Sequence, residues 1–269
     1  MDYLQNLHTH TVFCDGKDTP EQLVERALSL GHTAIGFSGH SYMFYSNYIS
    51  LEKTLGYRKE VEAVKQKYAG RIEVYCGLEF DLFSEVDLTG YDYIIGSEHY
   101  LYRDGKYIAF DRSAAEVKQV IDEYFGGDGL AYAKAYYETL SLLPKKAKCD
   151  IIGHFDIVAK HVEKTNFFDE NDKKYQSYAL DAMHALKKDI PILEINTGAI
   201  ARGYRTTPYP APFLLKEWKA IGGEIVISSD CHDKAFLNYR FNEAVEYAKS
   251  CGFNEAAILS AGKFRSVKL

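Results

Sequence analysis

Residues 19–40, TPEQLVERALSLGHTAIGFSGH, contain one complete helix-then-strand unit that closes on a histidine. Thr19 suits a helix N-cap, Pro20 the first helical position, and Gln22 completes a capping box, while Gly31 supplies the stop. The short apolar run that follows, Ala34 to Phe37, reads as a buried strand. His40 lies just past its end. The same rhythm extends in both directions, with a charged amphipathic helix from Leu51 towards Gly70 and apolar runs at RIEVYCGLEF (71–80), YDYIIGSEHY (91–100), DIIGHFDIV (150–158), PILEINTG (191–198) and EIVISSDCH (224–232). Upstream, NLHTHTVFCDG (6–16) opens with a further strand.

Seven strands are therefore expected, most separated by enough chain for a crossover helix. Alternation of this kind implies an α/β fold with a parallel sheet. Seven units in 269 residues favour a closed or nearly closed barrel over a doubly wound sheet. One segment breaks the rhythm: YLYRDGKYIAF places Asp104-Gly105 between aromatic-rich arms, a hairpin signal, so a small insertion is expected near residues 100–110. No repeat or linker-like stretch interrupts residues 1–269, which read as a single domain.

Composition narrows the functional classes. With 46% hydrophobic residues the chain can bury a large core, and a net charge of −6 gives no global reason to bind nucleic acid or an anionic membrane. No apolar run approaches the roughly 18 residues needed to span a bilayer, and MDYLQNLHTH lacks a basic, apolar leader, so the expected location is cytoplasmic. The five cysteines show no CxxC spacing, which argues against a disulfide scaffold and a zinc ribbon.

Of nine histidines, His8, His10, His40, His99, His154 and His232 fall at or just beyond predicted strand ends. Catalytic groups of parallel α/β folds gather at that C-terminal rim. Asp15, Glu79 and Asp230 occupy equivalent places. Imidazole and carboxylate are the ligand set of zinc, manganese or iron, and these groups exceed what one ion can use, so two or three divalent ions are implied. In His8-Thr9-His10 and Asp230-Cys231-His232 the spacing of two points both outer residues to one side of an extended strand. His32, His161 and His184 lie instead in helix or helix-end patterns and read as structural.

Laid end to end, HTH…D, GH, GLEF, GSEHY, GHFD and SDCH closely resemble the ordered motifs of the PHP (polymerase and histidinol phosphatase) family, over residues 8–232. The resemblance implies a distorted (β/α)7 TIM-like barrel with a trinuclear metal centre at the C-terminal rim of the strands. Carried over residue by residue, it implies His8, His10, Glu79 and Asp230 around a first ion and its activated water. It implies Asp15, His40 and His232 around a second, and Glu79, His99 and His154 around a third. The chain's length, its GHFDIV block and its LEINTGAIARG…TPYP block resemble the histidinol-phosphate phosphatase branch of that family.

The expected activity is thus metal-dependent hydrolysis of a small phosphate monoester, L-histidinol phosphate in histidine biosynthesis. The alternatives are a phosphoesterase of the same family acting on nucleotides, nucleic-acid ends or phosphotyrosine, and a non-catalytic metal-binding module. No P-loop, GxSxG elbow or Cys-x5-Arg loop offers a competing chemistry. Arg202 and Lys160, both past strand ends, are candidate phosphate contacts. Glu98 departs from the family pattern, which leads one to expect an apolar or small residue before His99. Glu98, or Asp156, is a candidate for recognising an amine or imidazole on the substrate.

Overall fold

The computed structural model describes residues 3–46 and 49–269; Met1 and Asp2, the start of the N-terminal stretch read above, lie outside them. The strands are β1 (Gln5–Asn6), β2 (Ala34–Phe37), β3 (Glu73–Asp81), β4 (Tyr93–Ser97), β5 (Tyr100–Arg103), β6 (Lys106–Ala109), β7 (Ile151–Ile152), β8 (Ile192–Asn196) and β9 (Glu224–Ser228). Seven of them form one sheet in the order β1-β2-β3-β4-β7-β8-β9, and every neighbouring pair is parallel.

The helices α1 (Pro20–Ser29), α2 (Leu51–Lys67), α3 (Ala114–Phe125), α4 (Gly129–Leu140), α5 (Leu143–Lys146), α6 (Lys173–Leu186), α7 (Gly198–Ala201), α8 (Pro212–Ala220) and α9 (Phe241–Ser250) supply the connections. α1 starts as its sequence dictates: Thr19 accepts from the Gln22 amide and the Gln22 side chain caps the Thr19 amide in return. β5 and β6 form an antiparallel hairpin. Asp104 and Gly105 turn its corner at φ 51° and 77°, the left-handed pair that a tight hairpin turn needs.

The expected barrel is present, and it closes. His10 N donates to Cys231 O at 2.8 Å and Cys231 N donates to His8 O at 3.0 Å, so the run after β9 pairs with the run after β1. Leu7, Ala34, Tyr75, Tyr93, Ile95, Ile151, Ile192 and Val226 pack together inside. Tyr93 spans that interior and donates to the carbonyls of Leu7 and Phe37. Glycine at position 77 makes room for it, since a Cβ there would stand 2.3 Å from the ring.

A C-terminal hairpin, β10 (Glu255–Ser260) with β11 (Lys263–Lys268), was not anticipated from sequence. Its Ala257 and Leu259 join the interior cluster, and Gln5 exchanges two hydrogen bonds with Leu259, at 2.7 and 2.8 Å. The hairpin seals the N-terminal end of the barrel, where β1 begins. The opposite rim is left for chemistry. Among the described residues no helix is long and apolar enough to cross a membrane.

Candidate metal centre

The barrel brings all nine sequence-predicted ligands to its C-terminal rim. β1 leads into His8 and His10, and β2 into His40, which bridges in parallel register to Glu79 on β3. His99 follows β4, His154 follows β7, and Asp230 and His232 follow β9. Asp230 adopts φ 47°, a left-handed conformation that aspartate tolerates better than most residues and that tends to occur at functional sites. Arg202 braces it, donating to Asp230 Oδ2 at 2.8 Å and to Asp230 O at 3.1 Å.

Four overlapping groups of ligand atoms form: His8, His10 and Asp230; His10, Asp15, His40 and His232; His8, Glu79 and His154; and His40, Glu79 and His99. Glu79 belongs to two of them. It stands 3.5 Å from His8, 3.5 Å from His10, 2.8 Å from His40, 3.4 Å from His99 and 2.9 Å from His154. The partition differs in detail from the one the family resemblance implies, because His10 also reaches Asp15 and His40 also reaches Glu79 and His99.

Two observations test whether a metal fits. Two ligands each about 2.05 Å from a tetrahedral ion stand about 3.3 Å apart, longer than a good hydrogen bond. Asp230 lies 3.2 Å from His10 and 3.7 Å from His8, while Asp15 lies 3.5 Å from His40 and 3.3 Å from His232. Most contacts therefore have the edge length of a coordination shell; His40 and His154 approach Glu79 at hydrogen-bonding distance instead. The Nε2 atoms of His8 and His10 are, moreover, buried without a hydrogen-bond partner. Unpaired buried nitrogens are costly unless a cation accepts their lone pairs. The residues fit divalent ions.

The electrostatics agree. Burial, with His232 and His40 crowding in, lowers the pKa of His10 to about 3, which keeps its ring neutral and able to coordinate. Burial would raise the pKa of Glu79, but His40, His8 and His99 outweigh it and hold the group well below the ordinary value. Burial likewise opposes ionisation of Asp230, and Arg202 and His8 overcome it. Against the effect of burial, Glu194 and Glu79 raise the pKa of His8, and Glu79 raises those of His40 and His99. The ionised carboxylates and His10 are thus already in the form that binds metal, and an ion would displace the protons of the other rings.

A cavity of about 410 Å³ opens above the centre, lined by ligands and by Asp111, Arg112, Glu116, Lys160, Arg202 and Tyr204 among others. Arg202 and Lys160 both reach it, although Lys160 donates to Asp111 O at 2.5 Å and stands 4.5 Å over the Tyr204 ring. Glu98 does not reach it. Its side chain is fully buried and accepts from the Tyr100 amide, and burial together with Asp81 raises its pKa well above the usual value. The physical reason is strand alternation: adjacent residues face opposite ways, so a rim-facing His99 turns Glu98 into the core. Asp156 is also fully buried, accepting from the Ala211 amide, and burial pushes its pKa up to about 7.

Not anticipated from sequence were Glu194 and Asp81, which lie behind candidate ligands, and Asp111 and Glu116, acids outside the ligand groups that line the cavity where Glu98 does not. Glu194 Oε1 lies 2.6 Å from His8 Nδ1, and Asp81 Oδ2 lies 3.2 Å from His99 Nδ1. A signal existed for both: Glu194 is a charge inside an apolar strand, and Asp81 shares a strand face with Glu79. His32, His161 and His184 belong to none of the metal-binding groups.

Comparisons with known proteins place this geometry. The PHP domain family model matches residues 6–198. A Deinococcus radiodurans protein named "Probable histidinol-phosphatase" is 29% identical over 94% of this chain and 95% of its own length. The Bacillus subtilis histidinol-phosphatase is 25% identical over 89% of this chain and 97% of its own. In fold, the chain superposes on the histidinol phosphate phosphatase of Lactococcus lactis, solved with zinc, L-histidinol and phosphate, with a TM-score of 0.69, 20% identity and 97% and 98% coverage of the two chains. With its motifs in order on a seven-stranded parallel barrel, the chain belongs to the PHP domain family.

Proposed function

We propose that this protein is a metal-dependent phosphomonoesterase that hydrolyses L-histidinol phosphate to L-histidinol and phosphate. The carrying observation is that one cavity over the centre holds charges of both signs: Arg202 and Lys160, and opposite in sign Asp111 and Glu116. Carboxylates at the mouth of a phosphatase repel an all-anionic substrate such as a nucleotide. They suit one whose phosphate is joined to a cation, as the ammonium of histidinol phosphate is. The names of the two full-length relatives support the same substrate.

His8, His10, Asp15, His40, Glu79, His99, His154, Asp230 and His232 would hold two or three ions of zinc, manganese or iron. Bound there, divalent ions supply Lewis-acid charge and a water activated near neutral pH. Arg202 contributes a guanidinium already oriented by Asp230, so it meets the phosphoryl oxygens without a large ordering cost. Asp111 holds the amine end of the substrate, with Lys160 setting its position from 3.6 Å.

A panel of histidinol phosphate, a nucleotide monophosphate and a phosphotyrosine peptide tests this assignment. Histidinol phosphate is expected to be hydrolysed with the highest kcat/KM, and Asp111→Asn to lower that value about tenfold, ~1.4 kcal/mol, while leaving the other two within about twofold. Preference for the nucleotide or the peptide by the wild type would refute the substrate. Arg202→Ala is expected to lower kcat/KM by roughly 30- to 1000-fold, with Arg202→Lys recovering part of it because a point charge lacks the fork. Near-wild-type efficiency at confirmed metal occupancy would move the phosphate contact to Lys160.

A further inference from the structure

Glu194, on β8, is fully buried beneath the centre. Four donors converge on its carboxylate. His8 Nδ1 lies 2.6 Å from Oε1, and the Ser228 hydroxyl donates to the same oxygen. The His154 amide donates to Oε2 at 2.7 Å, and Asn196 Nδ2 does so at 2.9 Å. A carboxylate with both oxygens engaged can meet His8 Nδ1 only if that nitrogen carries the proton, which leaves the lone pair on Nε2. His8 Nε2 is the atom that faces Asp230 and Glu79, at 3.7 and 3.5 Å. The other oxygen fixes the backbone of His154, a ligand from a different strand.

From this geometry we infer that Glu194 is a positioning residue for the metal centre: it sets the tautomer and orientation of His8 and anchors His154 at the same time. The inference rests on reading these histidines as metal ligands. Glutamine tests it, because an amide has one acceptor oxygen and a donor NH2 where the carboxylate accepts on both sides. The His154 amide proton cannot move, so the glutamine oxygen is held there and its NH2 turns towards His8. His8 must then accept on Nδ1 and place its proton on Nε2, which removes the lone pair aimed at the ion.

Wild type, Glu194→Gln, His8→Ala and the double variant are loaded with zinc, and zinc content and affinity are measured by elemental analysis and by competition with a chromogenic chelator. Glu194→Gln is expected to bind zinc about 10- to 100-fold more weakly and to retain about one equivalent less after dialysis. In the His8→Ala background the same change should add no more than about a threefold effect, the mark of a residue acting through His8. A purely structural role would lower thermal stability in chelator and leave zinc affinity untouched, and that result overturns the proposal. So does an effect of full size in the double variant. Should Glu194→Gln fail to fold, Glu194→Asp, which keeps the charge but withdraws it by one methylene, is judged by the same affinities. A wild type that binds no zinc would overturn the metal-centre reading itself, whereas a zinc-loaded wild type matched by Glu194→Gln would overturn this inference alone.

Discussion

Replacing Glu79 with alanine is expected to lower turnover of histidinol phosphate on the order of 10⁴-fold. The carboxylate is almost fully buried and stands within 3.5 Å of imidazole nitrogens from His8, His10, His40, His99 and His154. It is also shared by two of the ligand groups. Truncation leaves those rings facing one another across a gap with no anion among them, so binding two neighbouring ions becomes unfavourable at once. His184→Ala is the control. That ring is half exposed on α6 and pairs with Glu217 at 2.7 Å, so its loss should change turnover less than about twofold. Steady-state kinetics with metal content measured on the same samples decides the matter, and a Glu79→Ala enzyme within tenfold of wild type would remove Glu79 from the centre.

Metal removal should act as strongly. Protein purified without chelator is expected to carry more than one equivalent of zinc, manganese or iron, and exhaustive chelation to reduce activity below about 1%, with recovery on adding the metal back. Burying so many imidazoles and carboxylates together without a cation is unfavourable, since each charged form would be desolvated and each neutral one left without a partner. Unchanged activity in a sample shown by elemental analysis to be metal-free would refute the hydrolytic chemistry proposed above.

That these nine candidate ligands would meet at one rim was legible in the sequence because strand ends and period-two spacing are local features. His8 and His10, or Asp230 and His232, must share a side wherever the chain is extended. The capped α1 and the turn at Asp104-Gly105 were legible for the same reason, each being set by a few adjacent residues. The alternation that revealed the ligands also bore on Glu98, whose place beside His99 turns it inward. What local pattern could not show was packing between distant segments. Asp111 meets the cavity because the β5–β6 hairpin folds back over the rim. β10 and β11 read poorly because their inward residues are small or scattered, Ala257 and Leu259 among them. Which ligands share an ion likewise depends on how far apart the strand ends stand around a closed ring.

The closure of that ring bears on more than catalysis. Thr9 and Cys231, the residues whose backbones join the first and last strands, each sit between two ligands, so the hydrogen bonds of the seam and the coordinating side chains belong to the same short runs of chain. A cation shared by His8, His10 and Asp230 would therefore act as a clasp across a loop of more than two hundred residues, where restricting the unfolded chain has a large entropic effect. Because such a clasp would form only in the native state, occupancy would add to stability by mass action. Metal affinity and resistance to unfolding would then be one linked property of this barrel, so adding the ion is expected to raise its melting temperature as well as its activity.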